Sequence, residues 1–316
     1  MTRVFAAVVA AGMLACGRRE HATATSSATT TASAIPIPTP TSASATPSAT
    51  PHCYFLTVKG KATVRANDPT DVRQVERGAS VSDDTVFELA NDAELTVRTR
   101  TFREITVTGP GSAELCPNDD DAVRLARGKL SAFPGSGVRA GSEVWVATPL
   151  GVVRYRDAKI EIDAPEADGS RLTVTAAMAR AEFLPAPGVR VELDPADPAA
   201  AHAPALTAVT LRDGTTLRAE RTRAPVDRYL PGLVQACVRE SDAAARAGAG
   251  LAEPNGTPLG ERAAAHVRAK ERARGACEVV RAAADLAPGA LDGSLRGDLR
   301  AADEKRNQLT PLPARR

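Results

Sequence analysis

The chain has 316 residues, with 40 Lys and Arg against 38 Asp and Glu and a formal net charge of +2. Charges of both signs are interleaved along its length, so there is no basic field of the kind that collects on nucleic acid, and nucleic acid is not an expected partner. Aromatic residues are 3% of the total and include a single tryptophan, Trp145. That is too few for the stacking platforms that bind sugars or single strands.

At the N-terminus, Arg3 precedes an apolar run from Val4 to Ala15 that ends in Met13-Leu14-Ala15-Cys16. The run is far shorter than the ~20 residues that span a bilayer as a helix, so residues 1–15 read as a removable export signal. The segment resembles bacterial lipoprotein signal peptides, in which Leu stands three residues before the cysteine and small residues follow it. Here Met13 takes the Leu position and Leu14 a small-residue position. The resemblance implies cleavage before Cys16, a diacylglyceryl and palmitate-bearing anchor on its sulfur, and the membrane as a partner through that anchor. Gly17 in place of an aspartate resembles the pattern of lipoproteins sent to the outer membrane, with the body facing the periplasm. On the same residues, an ordinary secretory peptide with Cys16 as an incidental thiol is the alternative.

Residues 16–52 are nearly all Ala, Thr, Ser and Pro beyond His21. Such a stretch has too little apolar bulk to offset its ordering entropy and is expected to be a solvated tether with a reach on the order of 100 Å.

From residue 53 to 222 the pattern becomes one of short strands. Period-two alternation runs through Glu94–Thr99, Glu104–Val107, Lys159–Ile162 and Arg171–Val174, and turns are expected at Gly109-Pro110-Gly111, Pro134–Gly137, Asp168-Gly169 and Asp213-Gly214. The expected fold is a mainly β domain of many short strands. Val58-Lys59-Gly60, Val75–Val81 with Gly78, Val123–Leu130 with Gly128, and Val144–Val152 with the Thr148-Pro149-Leu150-Gly151 corner follow one another in an order that resembles the FecR-like periplasmic domain over roughly residues 54–185. Arg156-Asp157-Ala158 departs from the Arg-Gly-Thr usual after that corner, and Ala177 stands where a glycine is common. The resemblance implies an exported β module that engages an envelope partner.

Residues 223–316 turn to Ala, Arg, Glu and Leu at helical spacing and are expected to form a small α-helical hairpin or three-helix domain. One stripe is Leu230, Leu233, Val234, Cys237 and Val238, a second is Ala273, Cys277, Val280 and Ala284, and a third is Leu291, Leu295, Leu299 and Ala302. Of five cysteines, lipidation of Cys16 leaves Cys53, Cys116, Cys237 and Cys277, an even set for an oxidising compartment. Four cysteines allow three connectivities. Two fall in the β-like region and two in the helical region, which favours Cys53 with Cys116 and Cys237 with Cys277.

No cysteine or histidine spacing fits a metal site, and Asp119-Asp120-Asp121 lacks the alternation of a calcium loop. His202 and His266 have no nucleophile at a useful spacing, so no catalytic residue, metal or cofactor is expected. The functional expectation is a non-enzymatic cell-envelope lipoprotein that binds a periplasmic or outer-membrane protein or polymer. An accessory sensor in FecR-type transmembrane signalling, acting through a membrane partner, is the alternative, and an envelope hydrolase ranks last.

Overall fold

Alternating side chains build fifteen strands in the computed structural model, which describes residues 53–65, 72–77, 85–99, 101, 103–117, 122–134, 143–197, 200, 202–251, 258–287 and 289–307. In chain order these are β1 (Tyr54–Lys59), β2 (Ala62–Arg65), β3 (Val72–Gln74), β4 (Val86–Leu89), β5 (Glu94–Arg98), β6 (Glu104–Leu115), β7 (Ala122–Phe133) and β8 (Val144–Thr148). They continue as β9 (Gly151–Tyr155), β10 (Lys159–Ala164), β11 (Arg171–Ala177), β12 (Ala181–Pro185), β13 (Arg190–Asp194), β14 (Val209–Leu211) and β15 (Thr216–Glu220). Three helices follow, α1 (Val226–Ala249), α2 (Leu259–Ala284) and α3 (Gly293–Asn307). The expectation of a mainly β part followed by helices holds.

Two strands carry the topology. The first half of β6 pairs with β5 and its second half with β4, while β7 pairs with β10 through one half and with β8 through the other. All fifteen strands therefore form one hydrogen-bonded sheet, bent where the β6–β7 register shifts between Thr108 and Ala113. The expected turn at Gly109-Pro110-Gly111 is instead this bend inside β6. Only glycine fits at position 109, because a Cβ there would collide with the Ala90 carbonyl oxygen. Leu95, Val97, Ile105, Val107, Ile160 and Val174 from one half share a single buried cluster with Phe87, Leu125, Val146, Val153, Phe183 and Leu211 from the other. Each such side chain contributes ~1.5 to 3 kcal/mol on leaving water, so this cluster is the main source of stability.

The opposite face of β1, β5, β6, β7, β10, β11, β15 and β13 carries no buried residue in its cross-strand rows. One row runs Lys59, Glu94, Thr108, Lys129, Asp163, Thr173, Arg218, Glu192. Ion pairs join Lys59 to Glu94 at 2.8 Å and Lys129 to Asp163 at 3.4 Å. The next row is largely hydroxyls, with Thr96 bonded to Thr106 at 3.1 Å and Thr175 to Thr216 at 3.2 Å.

The helices cover the outer face of the other half. Ala147, Val152 and Leu184 of β8, β9 and β12 share a second buried cluster with Leu230, Leu233, Val234, Val279 and Val280, so the alanine-rich helices complete their core with the sheet. All the residues of the first two expected stripes are buried except Val238, which is half-buried, and in the third Leu299 and Ala302 are buried. Cys237 joins Cys277 across α1 and α2 with Cα atoms 4.7 Å apart, and Cys53 joins Cys116, tying the start of β1 to the end of β6 at 6.5 Å. Among the described residues, no helix is long and apolar enough to cross a membrane.

A buried ion chain fixes the helices to the sheet. Arg124 of β7 donates to Glu114 of β6 and, at 2.5 Å, to Glu278 of α2. Arg281 donates to Glu278 at 2.5 Å and to Asp303 of α3. Burial pushes the Glu278 carboxyl up, but Arg124, Arg281 and Arg306 together outweigh it and hold that carboxyl below its ordinary range. Burial likewise pulls Arg124 down, and its two carboxylates reverse the effect and raise it.

Removing Cys237 and Cys277 together as alanines should lower stability by ~2 to 4 kcal/mol, because the link no longer restricts the unfolded chain. An unchanged melting temperature would refute this. Replacing Arg124 by Met should cost ~3 to 5 kcal/mol, since Glu114 and Glu278 are then buried without their cation. Because the folded Glu278 pKa lies below the unfolded value of about 4.3, its contribution is present above that pH and is lost as pH falls. Urea titrations of the wild type should therefore show stability falling through this acid range more steeply than in Glu278→Gln, and parallel acid limbs would contradict the assignment.

Candidate ligand cleft

On the helix-facing side of the sheet, Trp145, Arg154, Glu182 and Thr210 stand in one cross-strand row over β8, β9, β12 and β14. Over that row lies one face of α2, where Glu271, Arg274 and Glu278 recur at the three- and four-residue spacing that brings side chains together on a helix. Arg154 is gripped from both sides, by Glu182 at 2.5 Å and by Glu271 at 3.1 Å. Its guanidinium also lies 5.3 Å from the centre of the Trp145 ring, and that of Arg274 lies 4.8 Å from the same ring. Burial alone would pull the Arg154 guanidinium down, but Glu182, Glu143 and Glu271 raise it, so it remains a fixed cation.

The row opens into a cleft of about 480 Å³ whose lining includes Glu143, Arg154, Arg156, Arg180, Glu182 and Glu271. Arg154 is the deep member. Arg156 and Arg180 are 60% and 70% exposed, with single ion contacts of 3.9 Å to Glu143 and 3.5 Å to Glu182. The turn bearing Arg156 and Asp157 is propped from behind by Arg103, a fully buried side chain that donates to the Arg156 carbonyl and lies 5.8 Å from the Tyr155 ring. The turn bearing Ala179 and Arg180 begins at Met178, which has φ +73° and is 69% exposed. The Met178 N–H donates to Asp213 at 2.8 Å, which holds that turn in place.

A corner on the same strands sets the spacing. Thr148 accepts the Leu150 N–H at 3.3 Å and donates to the Gly151 carbonyl at 2.9 Å. Gly151 has φ +156°, and a Cβ there would lie 2.6 Å from Phe183 Cζ, so glycine is required for β9 to approach β12 this closely.

The cleft presents guanidiniums and carboxylates, and among the described residues its lining holds no serine, cysteine, histidine or lysine. Glu182 and Glu271 are engaged with Arg154. This arrangement supplies charge recognition and hydrogen bonding in a concave surface.

Of the residues singled out from the sequence, the structure joins Cys53 with Cys116 and Cys237 with Cys277, neither of which lines the cleft. Cys16, the signal and tether segments, Gly78 and the Asp119–Asp121 run lie outside the described residues. His202 is exposed and His266 is half-buried. Among the described residues no group of three His, Cys, Asp or Glu side chains gathers as a metal site would need. Trp145 is buried, and it packs beneath α2 and beside two arginines. The cleft itself was not read from the sequence. Its one signal was Arg154 in the apolar strand Gly151–Tyr155, a charge at a position where alternation on a half-covered sheet places it under the helices.

Removing the guanidinium beside the indole should cost ~0.5 to 2 kcal/mol. Because Trp145 is the single tryptophan, Arg274→Ala should also shift the protein's fluorescence emission to longer wavelength, and an unmoved spectrum would count against the contact.

No protein-family model matches the chain, and no curated protein matches it.

Proposed function

We propose that this chain is a non-enzymatic envelope lipoprotein, held by lipid on Cys16 and by the tether of residues 16–52, whose β body binds a partner in the periplasm or at the outer membrane. The observation that carries the binding role is the cleft beneath α2, where the exposed guanidiniums of Arg156 and Arg180 have only weak ion contacts. Exposed pairs of this kind are worth little, so a ligand can take them over at small cost. The FecR-like order of the corners, together with glycine conformations at Gly60 (φ +68°), Gly128 (φ +109°) and Gly151, supports an exported β module of that type. The two disulfides support an oxidising compartment.

The test takes intact cells. Mass spectrometry of the mature chain should find diacylglyceryl on Cys16, and Cys16→Ala should move the protein from the membrane fraction to the soluble one. A free thiol at Cys16, or membrane retention of the variant, would defeat the anchor. Crosslinking followed by affinity purification then separates the partner classes. A receptor or regulator would favour the accessory-sensor role, whereas a wall or surface polymer would favour a scaffold.

A further inference from the structure

We infer that the cleft beneath α2 takes a short zwitterionic peptide, its carboxylate on Arg156 and Arg180 and its ammonium on the acidic side of the same cleft; the inference rests on the binding role proposed above.

Both signs of charge line one concave surface. Arg154 is held by Glu182 and Glu271 at 2.5 and 3.1 Å and serves as a fixed floor. Arg156 and Arg180 are the exposed cations, and planar guanidiniums present paired N–H donors that match the two oxygens of a carboxylate. Glu143 and the exposed Asp157 line the cleft as well. Together with Glu271, whose side chain is 39% exposed and held by one contact, they form the complementary anionic side. A simple anion would meet these carboxylates as well as the arginines and be repelled, and a simple cation would meet the arginines. A ligand with both charges satisfies each side at once. A cleft of about 480 Å³ lies in the range of small-ligand sites and is too small for a folded partner. Both arginines sit on fixed turns, one propped by Arg103 and the other pinned through Asp213, so the ordering cost on binding falls on the two side chains and not on the backbone that carries them.

The single tryptophan beside Arg154 supplies the readout. The full chain is titrated with the dipeptide lysyl-alanine, with its N-acetylated and C-amidated form, and with sodium acetate, while Trp145 fluorescence and heat are followed. The uncapped dipeptide should bind and change Trp145 emission, and the capped form and acetate should each bind at least about tenfold more weakly. Arg156→Ala with Arg180→Ala should weaken the dipeptide by at least about tenfold while leaving the melting temperature unchanged, because both side chains are exposed, and the paired Lys variants should recover part of the loss.

Equal binding of capped and uncapped peptide would overturn the inference, as would binding that the double variant leaves intact. Absence of binding by both readouts up to millimolar peptide would overturn it too. In the last case, a crosslinked partner in cells that the double variant loses would keep the cleft as a binding site and remove only the ligand class. Co-sedimentation with insoluble peptidoglycan that lysyl-alanine competes away would place the same chemistry on a wall polymer. Dipeptide binding without sedimentation would place it on a free peptide.

Discussion

A single guanidinium, that of Arg124, decides how the layers of this protein sit. It is buried between Glu114 of the strand beside it and Glu278 of the helix above. A charge in that position needs partners on every side, and the helix must supply one of them in the right place. From Glu278 the chain of opposite charges passes through Arg281 to Asp303 and so reaches α3. Apolar contacts alone would leave α2 some freedom to slide along the sheet, since alanine surfaces interlock weakly. The ion chain removes that freedom, and Arg274 and Glu271 stand one and two turns away on the same helix face. The register set at Glu278 therefore also sets Glu271, two turns away, against Arg154 and forms the wall of the cleft.

Much of this architecture was legible in the sequence, for a definite reason. Strands with one wet face announce themselves by alternation, and β5, β6, β10 and β11 coincide with segments read that way. The helices announced themselves by stripes such as Leu230 to Cys237, and the cysteines paired within the regions that suggested them. What escaped was anything that depended on two distant segments meeting. The bend in β6 read as a turn because Gly109-Pro110-Gly111 has turn chemistry, and only the close approach of Ala90 makes it a kink within a strand. Arg124 and Glu278 are 154 positions apart, and neither carries a local sign of its partner. Trp145 stands in an apolar strand, and nothing near it in the chain foretold Arg274.

The cleft belongs to the same class of feature. Its residues come from β9 and the turn after it, β12 and the turn before it, the approach to β8 and the middle of α2. No short motif could contain them. Charged side chains scattered through strands read individually as solvated, and only the covering helix turns Arg154 and Glu182 from surface groups into the floor of a site.

The uncovered half of the sheet has a different consequence. Its central row alternates Lys59, Glu94, Lys129, Asp163, Arg218 and Glu192 with threonines between, so positive and negative charges cancel over distances shorter than the Debye length of roughly 8 Å at physiological salt. Beyond that distance the face projects almost no potential. Neighbouring copies, anionic lipids and polycations meet no long-range field on this face, whereas the helices and the cleft lie over the other half of the sheet.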